Sequence, residues 1–148
     1  MTDRNLLIKE IEYFYIEVVE EFKEAEQQII NDSQFRSLFR KKDYDGNISL
    51  LKACKKRAQG IDAKAVHVDP EDETSKEVME RFVRAITGFN GVCDAYVQLQ
   101  VFLKKKSMKE EAKFSVYKEI LKKVEQSRER ANEALHRLDL VYTDYTEE

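Results

Sequence analysis

The residues with the clearest potential for chemistry are three glutamates in the run Glu20-Glu21-Phe22-Lys23-Glu24. Carboxylate oxygens are hard ligands of the kind that Mg²⁺ prefers. A metal ion that bridges phosphate oxygens neutralises the charge that develops when a phosphate is transferred or hydrolysed. This run therefore has the chemistry to hold a magnesium–phosphate complex, provided that other acids face it from a neighbouring helix.

The run resembles the Glu-Glu-x-x-Glu signature of the MazG-like all-α nucleotide pyrophosphatases. Glu77-Val-Met-Glu80 is the nearest counterpart to that family's second motif, Glu-x-x-Asp, and it differs in its last residue and in a longer gap. The resemblance implies an Mg²⁺-dependent enzyme that uses Glu21, Glu24, Glu77 and Glu80. The alternative is an acidic, solvent-exposed helix face, because Glu20 and Glu24 lie away from the apolar stripe of their helix. We favour the alternative.

Two further patterns involve metal ligands. Asp43-Tyr44-Asp45-Gly46-Asn47-Ile48 resembles the middle of an EF-hand loop, but Lys41 and Lys52 occupy the positions where that loop needs an acid and a bidentate Glu. We therefore predict a plain turn. Glu133 and His136 match half of the Glu-x-x-His motif of ferritin-like di-iron bundles. Arg130 and His136 also have the Arg-x5-His spacing of HEPN-type nucleases, which are helical bundles too. We expect Glu133 and His136 to be solvent-exposed, and we predict no metal site and no bound cofactor.

Basic residues concentrate between Arg36 and Lys64 and form a second kind of candidate site. Nine Lys or Arg stand there against three Asp, whereas the first helix and residues 69–80 are acidic. The segment could dock phosphate, nucleic acid or an acidic partner, or it could lie against the chain's own acidic helices, and we favour the second arrangement. The candidate binding residues are Arg36, Arg40, Lys41, Lys42, Lys55 and Lys56.

Composition limits the classes to which the chain can belong. Its 148 residues suit one domain, and 42% hydrophobic and 37% charged residues with four Gly and one Pro favour helices. The net charge of -3 is too small to favour either a nucleic-acid-binding protein or disorder, and we do not expect a nucleic-acid partner. Cys54 and Cys93 lie on apolar stripes, which predicts two buried, reduced thiols. No signal peptide or membrane-spanning run is apparent, so we expect a cytoplasmic protein without a membrane partner.

Helical periodicity predicts three long helices and an interrupted short pair. The first helix extends from about Asn5 to Ile30 and ends at a break at Asn31-Asp32-Ser33. Its stripe residues recur at steps of three and four: Leu7, Ile11, Phe14, Val18, Phe22, Ala25 and Ile29. A short segment then carries Phe35, Leu38 and Phe39. The second short helix, capped by Asn47, buries Leu51, Cys54 and Ala58 and ends at a left-handed Gly60.

The last two helices should form a hairpin about Ser107. After a loop from Ile61 to Val68, the third helix starts at Asp69-Pro70 or at Thr74 and reaches about Lys106, with Gly88 and Gly91 permitting a bend. Ser107 should cap the fourth helix through a capping box with Glu110. Its buried stripe is predicted to be Tyr117, Leu121, Val124, Ala131, Leu135, Leu138 and Tyr142, followed by a frayed tail.

These elements predict an all-α, four-helix-type, mostly up-and-down bundle in one domain of residues 1–148. We expect a non-catalytic binding or regulatory module that acts through its surface on a protein partner or on a second copy of itself. The homodimer is slightly favoured, because the apolar arcs of the first and third helices are wider than one bundle needs. The additional apolar residues are Ile8, Ile16, Val19, Val101 and Phe102.

Overall fold

The structure is a computed structural model that describes residues 1–33 and 42–147, and most of these residues are helical. The helices are α1 (Arg4–Tyr13), α2 (Glu20–Ser33), α3 (Tyr44–Gln59), α4 (Glu73–Ser107) and α5 (Phe114–Glu147). A π-helical segment (Phe14–Val19) joins α1 to α2 without a break, and we call the three together the N-terminal helix. The predicted all-α class is confirmed.

Pairs of contacts fix the directions of neighbouring helices. Lys104 of α4 pairs with Asp45 at the start of α3, and Lys55 near the end of α3 pairs with Asp94, so α3 and α4 are antiparallel. The N-terminal helix and α5 are also antiparallel, because Arg4 donates to the backbone oxygen of Tyr145 and Arg128 pairs with Glu26. The described helices thus form an up-and-down bundle.

The core is built on aromatic side chains from the N-terminal helix and α4. The Phe14 ring lies 5.8 Å from Phe82 and 5.6 Å from Phe89, both edge-on, and Phe22 lies 5.2 Å from Phe89. All seven residues predicted for the first stripe are buried, which confirms the phase of that helix. Because a π turn contains one residue more than an α turn, Val18 and the next residue, Val19, can both face inward.

Glycine lets α4 and α5 approach closely. A Cβ at position 88 would lie 3.3 Å from the Cα of Ala131, whereas a Cβ at position 91 would meet nothing within 4 Å. Gly88 therefore serves helix packing. Gly88 and Gly91, where a bend was predicted, do not interrupt the helix, since α4 is one α-helix from Glu73 to Ser107.

Both predicted starts of the third helix are wrong, since Asp72 is the N-cap of α4. Its carboxylate accepts hydrogen bonds from the backbone N–H and the hydroxyl of Ser75, which satisfies one of the free donors of the first turn. Those bonds lower the pKa of Asp72, the Ser75 hydroxyl contributing most. Pro70 and Thr74 consequently flank the cap.

The hairpin joining α4 to α5 also differs from the prediction. Ser107 is the last residue of α4 and donates through its hydroxyl to the Lys104 carbonyl, so it does not cap α5, which begins at Phe114. Lys109 takes the left-handed conformation, with φ 59°. The N–H groups of Lys109 and Glu110 bond the carbonyls of Lys106 and Lys105, the two bonds of a Schellman motif.

The short helix α3 is capped by Asp43, which accepts from the N–H of Gly46. Asn47, predicted as the cap, lies inside α3, where it is buried and donates to the Gln100 side chain at 3.0 Å. Gly60 has φ -73° and is right-handed, contrary to the prediction. The predicted break at Asn31 is likewise helical as far as Ser33. The predicted segment with Phe35, Leu38 and Phe39 lies outside the described residues.

The last helix has the predicted phase only in part. Val124, Ala131 and Leu138 are buried, whereas Leu121 is 39% exposed. Tyr117, Leu135 and Tyr142 are partly exposed too, so the stripe is covered incompletely. The tail predicted to fray is helical to Glu147, because Tyr145 anchors it: the ring is 1% exposed and its hydroxyl bonds that of Ser75 at 2.6 Å.

Candidate binding groove

The four acids of the magnesium site that the MazG-like resemblance implies lie on two different faces of the molecule. Glu21 pairs with Arg57 of α3, and the same guanidinium lies 3.4 Å from the Glu17 carbonyl in the π-helical segment. Glu24 is exposed on α2. The described part of the chain contains no group of three or more His, Cys, Asp or Glu side chains that could hold a metal ion.

Glu77 and Glu80 share a cavity of about 190 Å³ between α4 and α5. Arginines dominate its wall, because Arg81, Arg84 and Arg137 all reach it. Glu77 pairs with Arg81 and Glu80 pairs with Arg84, each at 2.6 Å and at the i,i+4 spacing of a helix. Each carboxylate is thus already beside a fixed cation, an arrangement that resembles a solvent-exposed helix face.

The other predicted patterns have ordinary structural surroundings. Glu133 pairs with Arg137 at 2.8 Å, and His136 is exposed on α5, as the predicted phase requires. Cys54 and Cys93 are buried free thiols, and burial raises the pKa of both.

The predicted basic patch divides into three parts. Arg36, Arg40 and Lys41 lie outside the described residues. Lys55 pairs with Asp94 at 2.7 Å, and Lys56 is exposed on α3. Lys42 lines an apolar groove between α2, α3, α4 and α5.

An apolar concavity lies where four segments of the described bundle meet. It has a volume of about 330 Å³ and lies between the end of α2, the start of α3, the last turns of α4 and the first turns of α5. This volume is within the range of small-ligand pockets. Its apolar wall includes Ile30, Tyr44, Leu99, Leu103, Tyr117 and Leu121.

The wall of this groove extends onto an exposed aromatic surface at the start of α5. Tyr117 stacks on Phe102 at 5.7 Å and lies 6.3 Å from Phe114, which is 68% exposed. Of the exposed large apolar residues, four fall between positions 108 and 121. The Tyr117 ring contacts both Phe102 and Phe114, so this part of the apolar surface is contiguous, and contiguous apolar surface marks interaction sites more often than scattered single residues do. These four are Met108, Phe114, Val116 and Leu121.

The sequence next to this surface is rich in lysine. Residues 104–123 contain eight Lys and three Glu. Lys106 lies over the Tyr117 ring at 5.8 Å, and Lys118 lies over the Phe114 ring at 5.1 Å. Within the described ranges, Lys104 is the one member of this set that forms an ion pair, with Asp45. We use the name lysine-rimmed groove for the cavity together with Lys42 in its lining and the lysines of residues 104–123.

A polar network lies beside the groove and fixes three helices relative to one another. Glu26 of α2 accepts from the Tyr96 hydroxyl at 2.7 Å and from Arg128 at 3.1 Å. Burial and the Glu26 carboxylate raise the pKa of Tyr96. Tyr96 also lines the groove, so the floor of the groove is held by charged hydrogen bonds as well as by packing.

Sequence reasoning did not identify the groove, because its walls come from four separate segments. Tyr117 and Leu121 were assigned to a fully buried stripe. The available signal was the density of lysines next to that stripe, at positions 118, 122 and 123. Apolar stripes with one cationic border predict an amphipathic surface, but they do not say which part of it the chain itself covers.

No protein-family model matches this chain, and neither the curated proteins nor the solved structures include a significant match. In the described part of the chain, none of the helices combines the length and the apolar character needed to cross a membrane.

Proposed function

We propose that this protein is a non-catalytic binding module that docks a protein partner at the lysine-rimmed groove. One observation supports the proposal above the others: an apolar cavity of about 330 Å³ borders an exposed aromatic surface and a set of lysines of which Lys104 alone forms an ion pair within the described residues. Apolar contacts supply the affinity in such a site, and the rim charges select an acidic partner and accelerate its association.

The shape of the site favours a helical or extended protein segment. A groove between helix ends accepts the apolar face of an amphipathic helix, with anchors spaced three and four residues apart. We propose a cytoplasmic location, in keeping with the sequence. The competing proposal, a MazG-like pyrophosphatase with Mg²⁺ held by Glu21, Glu24, Glu77 and Glu80, is supported by the sequence resemblance alone.

A fluorescent anionic apolar probe, 8-anilinonaphthalene-1-sulfonate, tests whether the groove binds ligands of this character. At about 1 µM protein, where mass action limits association of the chain, we expect binding in the micromolar range, on the order of 10 to 100 µM, as for a small ligand that fills an apolar site only in part. Leu121→Glu places a carboxylate on the groove wall and should weaken binding at least about tenfold, a loss of about 1.4 kcal/mol.

Leu140→Glu is the matched control. Leu140 is also an exposed leucine of α5, at 59%, but it is not part of the groove. Its substitution should leave probe binding unchanged. Equal binding by the wild type and both variants would contradict the proposal, because the probe would then be bound elsewhere.

A further inference from the structure

The outer surface of the N-terminal helix is acidic, whereas the rim of the lysine-rimmed groove is basic. Residues 9–24 contain six Glu and two Lys, and Glu12, Glu17, Glu20 and Glu24 are exposed. Two apolar residues stand among these acids, Ile16 at 62% exposure and Tyr13 at 40%. We call this surface, Glu12 to Glu24, the acidic face.

Packing within the chain leaves Ile16 exposed. Of the five apolar residues that led us to expect a dimer, Val19 and Phe102 are buried within the chain, and Ile8 packs against the core. Ile16 and Val101 remain exposed. Ile16 also lies in the π-helical segment, and π segments in α-helices are frequent at functional sites.

The acidic face cannot reach the groove of its own chain. Ile30, in the groove wall, and Ile16 lie on the same continuous helix. The step of fourteen positions from Ile16 to Ile30 corresponds to roughly 20 Å at 1.5 Å per residue. An acidic face with apolar anchors can therefore meet this groove only on another copy.

We infer that the occupant of the lysine-rimmed groove is the acidic face of a second copy of this chain. The inference rests on the proposed function and names the partner for that site. Ile16 and Tyr13, three residues apart, are the anchors, and the carboxylates around them face the rim lysines. Two such contacts related by a twofold axis close a dimer, and charges of opposite sign fix its register.

The first measurement is the mass in solution by light scattering coupled to gel filtration, at about 50 µM, a concentration suited to a moderate interface. We expect twice the chain mass of 17.5 kDa. Ile16→Glu and Leu121→Glu should each give monomers, because each removes one side of both contacts. Leu140→Glu should remain dimeric. Far-UV circular dichroism verifies that the variants remain helical, as expected for substitutions at exposed positions.

Mixing the two monomeric variants is the decisive experiment. Leu121→Glu retains an intact acidic face and Ile16→Glu retains an intact groove, so the mixture can form one complete contact. Native mass spectrometry, with one variant carrying a mass tag, should detect a heterodimer that neither variant forms alone. Raising NaCl from about 0.05 M to about 0.5 M should weaken wild-type association by about tenfold, since the Debye length shortens severalfold.

Three results would overturn the inference: a wild-type monomer at this concentration, a dimer that both substitutions leave intact, or a mixture that stays monomeric. Probe binding by Ile16→Glu, whose groove is free in either case, separates this inference from the proposed function. Suppose that the wild type is monomeric and that Ile16→Glu binds the probe at the part of the groove wall that contains Leu121. The groove is then a docking site, and the second copy is the wrong occupant.

Discussion

The two ends of the bundle differ in how far their aromatic side chains are buried. At the end where α4 begins, the Tyr145 ring lies beneath the Arg4 guanidinium at 3.9 Å, and its hydroxyl bonds that of Ser75. At the end where α5 begins, Phe114 is 68% exposed, with Lys118 over its ring at 5.1 Å and the Tyr117 ring at 6.3 Å. We call these the closed end and the open end.

The closed end is also joined by hydrogen bonds between distant parts of the chain. The N–H of Asp3 donates to the carbonyl of His67, and the N–H of Asp69 donates to the hydroxyl of Thr2, both at 2.9 Å. Such bonds satisfy backbone groups that would otherwise need water. The comparison teaches that apolar residues at helix ends can be covered within this chain, so their exposure at the open end calls for an explanation in terms of binding.

Two leucines of α5 provide the largest expected contrast. Leu138 is fully buried, so Leu138→Ala should reduce the free energy of unfolding by roughly 2–5 kcal/mol. Leu121→Ala at the open end should cost less than about 1 kcal/mol, because this side chain retains much of its water contact. Urea unfolding followed by circular dichroism, at about 1 µM to limit association, measures both. Equal losses would mean that the open end is covered after all.

This pair also shows what periodicity can predict. The spacing of three and four identified Val124, Ala131 and Leu138 as core residues, because a helix repeats its faces regularly along its length. It assigned Leu121 and Leu135 to the same stripe and could not tell that they are partly exposed. Coverage depends on where the neighbouring helices lie, and that information is not contained in one helix.

The helix ends were harder to predict than the helix faces. Several capping residues compete within a few positions, as Asp69, Asp72 and Thr74 do before α4, and the one used depends on the packing of the next turn. The candidate site was harder still. Lys42 was selected for its charge and does line the groove, but the apolar wall requires segments far apart in sequence, which only the tertiary structure brings together.

Alkaline pH should sharpen the contrast through Tyr15, which ties the N-terminal helix to α5. Its hydroxyl donates to Asp139, and burial followed by that carboxylate raises the Tyr15 pKa. In the unfolded chain a tyrosine loses its proton near pH 10. The folded state keeps the proton at higher pH, so this contribution is complete below about pH 10 and is lost as the pH rises further.

Tyr15→Phe removes this term, so stability should fall less steeply above about pH 10 in the variant than in the wild type. The difference in slope is at most about 1.4 kcal/mol per pH unit, and the partial exposure of the ring reduces it. Denaturation midpoints measured across this pH range test the assignment, and identical slopes for wild type and Tyr15→Phe would contradict it.

A stabilising substitution is expected at the open end. Lys109 has φ 59°, a left-handed conformation in which a side chain is strained and glycine is not. Lys109→Gly should raise the free energy of unfolding by about 0.5–1 kcal/mol, and the gain is limited by the greater backbone freedom of glycine in the unfolded chain. Lys105→Gly, in the last turn of α4, should instead cost up to about 1 kcal/mol. The same sign for both would show that the turn is not as described.

The smallest expected effect is the response to Mg²⁺, and it separates the binding module from the enzyme. Glu21 pairs with Arg57, Glu77 with Arg81 and Glu80 with Arg84, so a cation would have to displace three guanidinium groups. A ligand that binds the native state raises the melting temperature by mass action. We expect no shift beyond about 1 °C at about 5 mM Mg²⁺, a concentration that would exceed a millimolar dissociation constant. A clear rise that Glu21→Gln abolishes, and that a control Glu111→Gln at the exposed hairpin leaves intact, would favour the pyrophosphatase instead. Release of pyrophosphate from a nucleoside triphosphate with the same dependence on Glu21 would then mean that the acids of the two faces come together when substrate and metal bind.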